Sequence, residues 1–324
     1  MRAIELTPDV PVSTLIEYAE RASESDFDTV FLSHHYNNRD EFAALAAIAR
    51  EVDTVRLGPG IANPYETHPV TLASRMATLD ELSDGRGVFG LGPGDRSTLA
   101  NLGFSQDDAL RRVLETMQVA RKLWAGERVN HDGTFVANDA GLNYESREIP
   151  VYVGAQGPHM TRMAAKYAGG VLFNGSHPRD IEWAGERVEE GLNARDDERE
   201  FDFAAYASVS VANDGERARG AARPPVAFIT AGAPSPVLNR HGIDEARASE
   251  IRAAISSGEF SQAFEQVTER MLDAFCIAGT PETVTAQLVD LLNIADSVVV
   301  GAPLGPEVEE ALTLLDGSAL SART

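Results

Sequence analysis

The chain has 324 residues, with 50 Asp and Glu against 28 Lys and Arg, a formal net charge of −22. That balance excludes nucleic acid or an anionic membrane surface as the main partner, because both need a basic face. Disorder is excluded as well, since 43% of residues are hydrophobic and only 24% charged.

Lysine occurs only at Lys122 and Lys166, so 26 of the 28 basic residues are arginine. An acidic shell almost without lysine reads as that of a protein working in concentrated salt, where screening relieves self-repulsion. The plainer alternative is an acidic mesophilic protein.

Short β-rich runs fall at 2–7, 29–35, 55–61, 86–92, 150–155, 170–175, 206–213 and 297–303. Several are nearly continuous apolar stretches, as strands covered on both faces must be. The first run begins almost at once and leaves no room for a signal peptide. No apolar run approaches the ~18–20 residues of a membrane helix. The expectation is a soluble, cytoplasmic protein.

Helical patterns alternate with the strands. Residues 11–25 put Leu15, Ile16, Ala19 and Ala22 on one face, and 69–82 do the same with Val70, Leu72, Met76, Leu79 and Leu82. Residues 106–125 carry Leu110, Val113, Leu114, Met117 and Leu123 and stop at Gly126. Further helices are expected at 158–168, 178–195 and 306–315. The eightfold alternation predicts a single (β/α)₈ TIM-barrel domain over 1–324. The runner-up, a doubly wound open sheet, lacks its Gly-x-Gly-x-x-Gly fingerprint after the first strand.

Two segments break the rhythm. Residues 129–136 alternate around Asp132-Gly133 and read as a hairpin. Residues 214–280 read as an insertion after strand seven, with a Pro/Gly-rich stretch at 220–236 followed by two polar helices. The single cysteine, Cys276, lies in an apolar run (271–277) and reads as a buried, inert thiol.

In such a barrel the reactive groups belong at the C-terminal ends of strands. Strand one ends with Glu5, a carboxylate in an apolar run, which is costly to bury without a task or a partner. Strand two ends in Ser33-His34-His35-Tyr36-Asn37-Asn38-Arg39. Adjacent strand residues face opposite ways, so at most one histidine faces the barrel axis. The spacing does not suit a metal.

Strand three ends in Gly58-Pro59-Gly60-Ile61-Ala62-Asn63-Pro64, a constrained backbone. Strand four ends in Gly90-Leu91-Gly92-Pro93-Gly94-Asp95-Arg96, whose open amides beside Arg96 suit a phosphate or carboxylate. Strand five gives Gly154-Ala155-Gln156-Gly157-Pro158 and then a helix, a further anion cradle. Strand six ends in Asn174-Gly175-Ser176-His177. Glycine-rich loops at successive strand ends favour a large phosphorylated cofactor across the mouth. No nucleophile elbow, reactive cysteine or strand-end lysine is present for covalent catalysis.

The blocks FLSHHYNNRD (31–40), LGPGIANPYETHP (57–69), GLGPGD (90–95), VYVGAQGP (151–158), RPPVAFITAGAP (223–234) and FCIAGTPE (275–282) make the chain resemble, over nearly its whole length, the archaeal 5,10-methylenetetrahydromethanopterin reductases. These are luciferase-like barrels that use coenzyme F420, an 8-hydroxy-5-deazaflavin. The resemblance implies a barrel with an insertion after strand seven and a non-proline cis peptide at Gly60–Ile61. It implies cofactor contacts from His34, His35, Gly60, Ile61, Asn63, Pro93, Gly94, Gln156, Gly157, His159 and Met160. It departs at one point: where the family shows Asp-His after strand two, this chain has His34-His35, so the family's carboxylate is missing there.

The implied reaction is hydride transfer to a 5,10-methylene-tetrahydropterin, on tetrahydromethanopterin or tetrahydrofolate. Opening the one-carbon ring needs a proton on N10 from a buried carboxyl. Glu5 is the first choice, Glu115 the second and Asp95 the third. The resemblance also implies homo-dimers or homo-tetramers. Alternatives are another oxidoreductase of this barrel family, a deazaflavin-dependent dehydrogenase or an FMN-dependent monooxygenase, and a non-catalytic flavin-binding barrel.

Overall fold

The structure is a computed structural model and describes residues 1–316. The chain divides into two compact units, one of residues 1–174 with 184–204, the other of 175–183 with the residues from 205 on.

In the first unit, β1 (Arg2–Leu6) pairs in parallel with β2 (Thr29–Leu32), Glu5 opposite Phe31. β2 pairs with β3 (Arg56–Pro59), Leu32 opposite Pro59. Single bridges from Leu57 to Gly87 and from Ala62 to Leu91 join β3 to β4 (Phe89–Leu91). A hairpin follows, formed by β5 (Val129–Asp132) and β6 (Val136–Ala140), which are antiparallel. β4 pairs with β7 (Val151–Ala155), and β7 with β8 (Gly170–Asn174), all parallel. Strands of the parallel sheet therefore succeed one another in chain order, with helical connections between them, and their following loops gather at one edge.

The helices bury the faces that their periodicity marks. Val12–Glu24 buries Leu15, Ala19 and Ala22, and Pro69–Leu82 buries Leu72, Met76 and Leu79. Ala109–Trp124 buries Val113, Met117 and Leu123, while Leu110 stays exposed. Gly126 ends this segment at φ +79°, as expected of a glycine stop. Pro158–Tyr167 and Pro178–Leu192 complete the expected set up to β8 and beyond. Glu41–Glu51 was not anticipated. Asp40 caps it by accepting from the Ala43 N–H at 2.8 Å, and its Phe42, Leu45 and Ile48 are buried.

β9 (Asp202–Val211) begins in the first unit and continues into the second. There it pairs in parallel with β10 (Ile277–Gly279) and neighbours β11 (Ser297–Leu304). All eight expected strands are present, and the fold class is a (β/α)₈ barrel.

The 214–280 segment differs from its sequence reading. Its Pro/Gly-rich stretch lies inside an 18-residue helix, Gly215–Gly232, that contains Pro224 and Pro225. Asp214 caps the helix, and a buried stripe of Ala218, Ala222, Val226, Ala227 and Thr230 holds it against its neighbours. Tertiary packing outweighs the hydrogen bonds that the prolines forgo. Four further helices follow, Ser235–Arg240, Glu245–Ser256, Phe260–Glu265 and Glu269–Phe275, rather than two. They share a core of Val226, Leu238, Ile251, Met271, Leu272 and Cys276. The Cys276 thiol is 2% exposed, and burial pushes its pKa up to about 12, which makes it inert. Pro281–Leu292 and Val308–Leu315 are the last described helices.

Candidate active site at the strand ends of the first unit

Every residue singled out for cofactor or proton falls in the first unit, on or just beyond the strands or in the helices that follow them. Glu5 lies in β1 and is 4% exposed. The Thr7 hydroxyl donates to its Oε1 at 3.2 Å. Its chain neighbours Ile4 and Leu6 are buried and apolar, so the carboxyl sits in largely desolvated surroundings.

The two other candidate carboxyls have structural duties. Asp95 is exposed and caps the short helix Arg96–Asn101, accepting from the Thr98 N–H at 2.9 Å and from the Ser97 hydroxyl. Glu115 ties the helix Ala109–Trp124 to the hairpin. Its Oε2 accepts from Thr134 N–H (2.8 Å), Thr134 Oγ1 (2.7 Å) and His131 Nε2 (3.0 Å), and its Oε1 from Arg111 (2.6 Å). Burial alone would raise the Glu115 pKa, but these donors outweigh it and bring it down to about 2. A group that stays ionised so far into acid is a poor proton donor at neutral pH. In this structure Glu115 braces the helix to the hairpin.

The peptide bond Gly60–Ile61 is cis, as the resemblance implies. The Ile61 side chain explains several glycines. A Cβ on Gly92 would lie 2.9 Å from Ile61 Cδ1, and one on Gly154 3.3 Å from Ile61 Cγ1. A Cβ on Gly90 would lie 2.0 Å from the Pro59 carbonyl oxygen. These glycines make room for protein, so they are not the phosphate cradle that their sequence suggests. Gly94, at φ +76°, is different: it needs the left-handed region and lies against Asn63.

After strand two, His34 is half-buried between two carboxylates. Its Nδ1 lies 2.7 Å from Glu41 Oε2 and its Nε2 3.1 Å from Glu66 Oε1. Both partners can only accept when ionised, so both ring nitrogens carry hydrogen and the ring is an imidazolium. Burial opposes the charge, but Glu41 first and then Glu66 raise its pKa to about 9. The Asn63 amide is also engaged. Its Nδ2 donates to Glu66 Oε1 at 2.9 Å, and its Oδ1 accepts from the N–H groups of Tyr65 and Glu66. Both ring nitrogens of His34 are engaged, whereas the Asn63 Nδ2 keeps a second N–H beyond the one given to Glu66. His35, next in the chain, is half-buried.

The loop after β4 is held by a residue that the sequence did not mark. Gln106 donates from Nε2 to the carbonyls of Pro93 (3.0 Å) and Gly94 (2.8 Å). Arg112 donates to the Pro64 carbonyl at 2.9 Å and stacks over the Tyr65 ring at 4.7 Å, fixing the loop after β3. Glu41, Glu66 and Gln106 lay hidden because no short motif announces their pairings, of which His34 with Glu66 spans 32 residues and Gln106 with Pro93 spans 13.

The strand-five loop fits an anionic ligand. Gly157 caps the helix Pro158–Tyr167 with no side-chain cap, and Pro158 stands at the first helical position. A Cβ on Gly157 would meet nothing within 4 Å. Gln156 and His159 are exposed beside it, and Met160 is half-buried. At the end of β2 the buried Ser33 Oγ has no hydrogen-bond partner among the described residues. An uncapped helix start and an orphaned hydroxyl on the same edge suit a long cofactor with a polar ring and a phosphate, as coenzyme F420 is.

Residues 2–296 match the luciferase-like monooxygenase family. A 5,10-methylenetetrahydromethanopterin reductase of Archaeoglobus fulgidus is 40% identical over 96% of each chain. One of Methanopyrus kandleri is 38% identical over 96% of this chain and 95% of its own. The solved structure of the coenzyme F420 dependent tetrahydromethanopterin reductase from Methanopyrus kandleri matches with a TM-score of 0.92 at 35% identity, covering 100% of this chain and 99% of that one. An F420-dependent secondary alcohol dehydrogenase, solved with an F420–acetone adduct, shares the fold, with a TM-score of 0.82 at 18% identity over the whole of both chains.

Proposed function

The chain belongs to the luciferase-like monooxygenase family and, within it, to the 5,10-methylenetetrahydromethanopterin reductases, and from that premise we propose that it reduces 5,10-methylene-tetrahydromethanopterin to the 5-methyl product with coenzyme F420. Bound reduced F420 supplies the hydride. The observation that carries the reading is the desolvated Glu5 carboxyl on the strand edge that also bears His34, Asn63, Gly94 and Gly157.

The chain's own work is binding, orientation and proton delivery. Glu5 is the carboxyl placed to pass a proton to N10 as the one-carbon ring opens, and the Thr7 hydroxyl, which donates to its Oε1, orients it. Asp95 and Glu115 support the site from outside, one as a helix cap and one as the hairpin's brace. Ile61, braced by the glycines of β4 and β7, offers a bulge behind a flat ring. The uncapped start of Pro158–Tyr167 receives the anionic tail, with Gly157, His159 and Met160 around it. Two flat partners held in contact in this way gain most of their rate from orientation.

The acidic, lysine-poor composition supports work in concentrated salt; the archaeal cytoplasm and a homo-dimer or homo-tetramer are proposed by analogy with the family. No helix among the described residues is long and apolar enough to cross a membrane.

The test is an anaerobic assay in molar salt. Purified protein receives reduced F420 and then methylene-tetrahydromethanopterin, and in a parallel arm methylene-tetrahydrofolate, while cofactor reoxidation is followed. Reoxidation with the methanopterin is the expected result. No reoxidation with either pterin, or tight binding of FMN in place of F420, would overturn the reading.

A further inference from the structure

The family's strand-two carboxylate has a successor one strand over. His34 stands where the resemblance puts an aspartate. It donates from Nδ1 to Glu41 (2.7 Å) and from Nε2 to Glu66 (3.1 Å). One imidazolium with two carboxylates leaves a net charge of −1, the charge that a lone aspartate would give the same corner. Glu41 is buried, with 4% exposure, on the helix behind the sheet. Glu66 lies in the loop after β3, and its side chain keeps 15% exposure. The surplus negative charge therefore has its open end at Glu66.

The groups around Glu66 aim it. Asn63 Oδ1 accepts from the Glu66 N–H at 3.1 Å, which turns the loop, and Asn63 Nδ2 donates to Glu66 Oε1 at 2.9 Å. With His34 Nε2 on the same oxygen, Oε1 has two donors. Oε2 has no hydrogen-bond partner among the described residues. A carboxylate oriented through one oxygen and open at the other is a built acceptor.

We propose that Glu66 is a cofactor-binding residue of this chain, its Oε2 accepting a hydrogen bond from an N–H or O–H donor on the edge of the deazaflavin ring, with His34 and Asn63 behind it as positioning residues. This rests on the F420-dependent reading above. It goes beyond that reading by moving the ring's carboxylate partner from the loop after β2 to the loop after β3.

The test titrates the cofactor-free protein with F420 and follows the cofactor's fluorescence, with thermal melting alongside. Wild-type protein must bind F420; failure there would sink the parent reading and leave nothing for Glu66 to bind. Glu66→Gln is expected to weaken F420 binding by about 10–100-fold, the loss of one hydrogen bond to a charged acceptor. The variant H34D/E41Q/E66Q restores one carboxylate at the family's position with the same net charge, and it is expected to regain most of the affinity. Unchanged F420 affinity in Glu66→Gln overturns the proposal. So does an effect confined to the pterin KM, which would make Glu66 a substrate ligand. A parallel fall in affinity and melting temperature that the triple variant does not reverse also overturns it, because Glu66 would then be only a strut for His34.

Discussion

Glu5, Asp95 and Glu115 carry the same functional group in three different surroundings. Glu5→Gln removes the proton while keeping shape and is expected to lower kcat by roughly 10²–10⁴-fold with F420 binding retained. Single-turnover kinetics and cofactor titration would check this, and a kcat within a few-fold of wild type would remove Glu5 from the mechanism. Glu115→Ala leaves the Thr134 N–H and His131 without their acceptor. It is expected to lower the melting temperature by an amount worth about 1–3 kcal/mol, with a smaller loss of turnover than Glu5→Gln. The imidazolium of His34 gives a pH signature of opposite sense to that of a paired carboxylate. Its folded pKa, about 9, lies above the ordinary value of 6.5. Its contribution to stability is therefore complete below pH 6.5 and disappears as pH rises through about 9. Thermal melts between those limits should show a decline worth at most ~3 kcal/mol, and His34→Gln should flatten it. At this scale the sequence was half legible. The burial of Glu5 follows from its place in an apolar run. The pairing of His34 with Glu66 spans 32 residues, and no local pattern reports it.

Whole elements were easier to read where periodicity rules and harder where packing does. The eight strands stood out as apolar runs, although β2 and β3 end earlier than their runs do. His34 and Gly60 already belong to the loops, because the chain must leave the sheet for the site to exist. The helix Gly215–Gly232 was hidden by its own prolines, since local propensity reads Pro224-Pro225 as a break while the buried alanine stripe decides otherwise. The glycines of β4 looked like ligand cradles and proved to be clearances for Pro59 and Ile61. Gly92→Ala puts a Cβ against the tip of a flexible Ile61 side chain, with an expected cost of about 1–3 kcal/mol in denaturant melts. Gly90→Ala meets a backbone carbonyl and should cost more. Equal costs for the two would show that the Ile61 bulge is not what constrains the sheet there.

Across the whole molecule, charge is the dominant fact. The acids of 182–200 and 245–273, among them Glu182, Glu186, Glu189, Glu190, Glu245, Glu250 and Asp273, are exposed to solvent. A net charge of −22 repels itself most in dilute buffer. The melting temperature should therefore rise from low to molar potassium chloride as screening sets in, and a flat salt profile would identify an acidic protein with no need for brine.

The buried thiol of Cys276 makes the molecule its own stopwatch. It is the only cysteine in the chain, and it lies in the core of the helices that follow β9. A maleimide dye added to the folded protein can react only after that core has opened, so the labelling rate counts opening events one molecule at a time. Ligands that clamp the second unit would slow the dye, and ligands confined to the strand ends of the first would leave it unchanged.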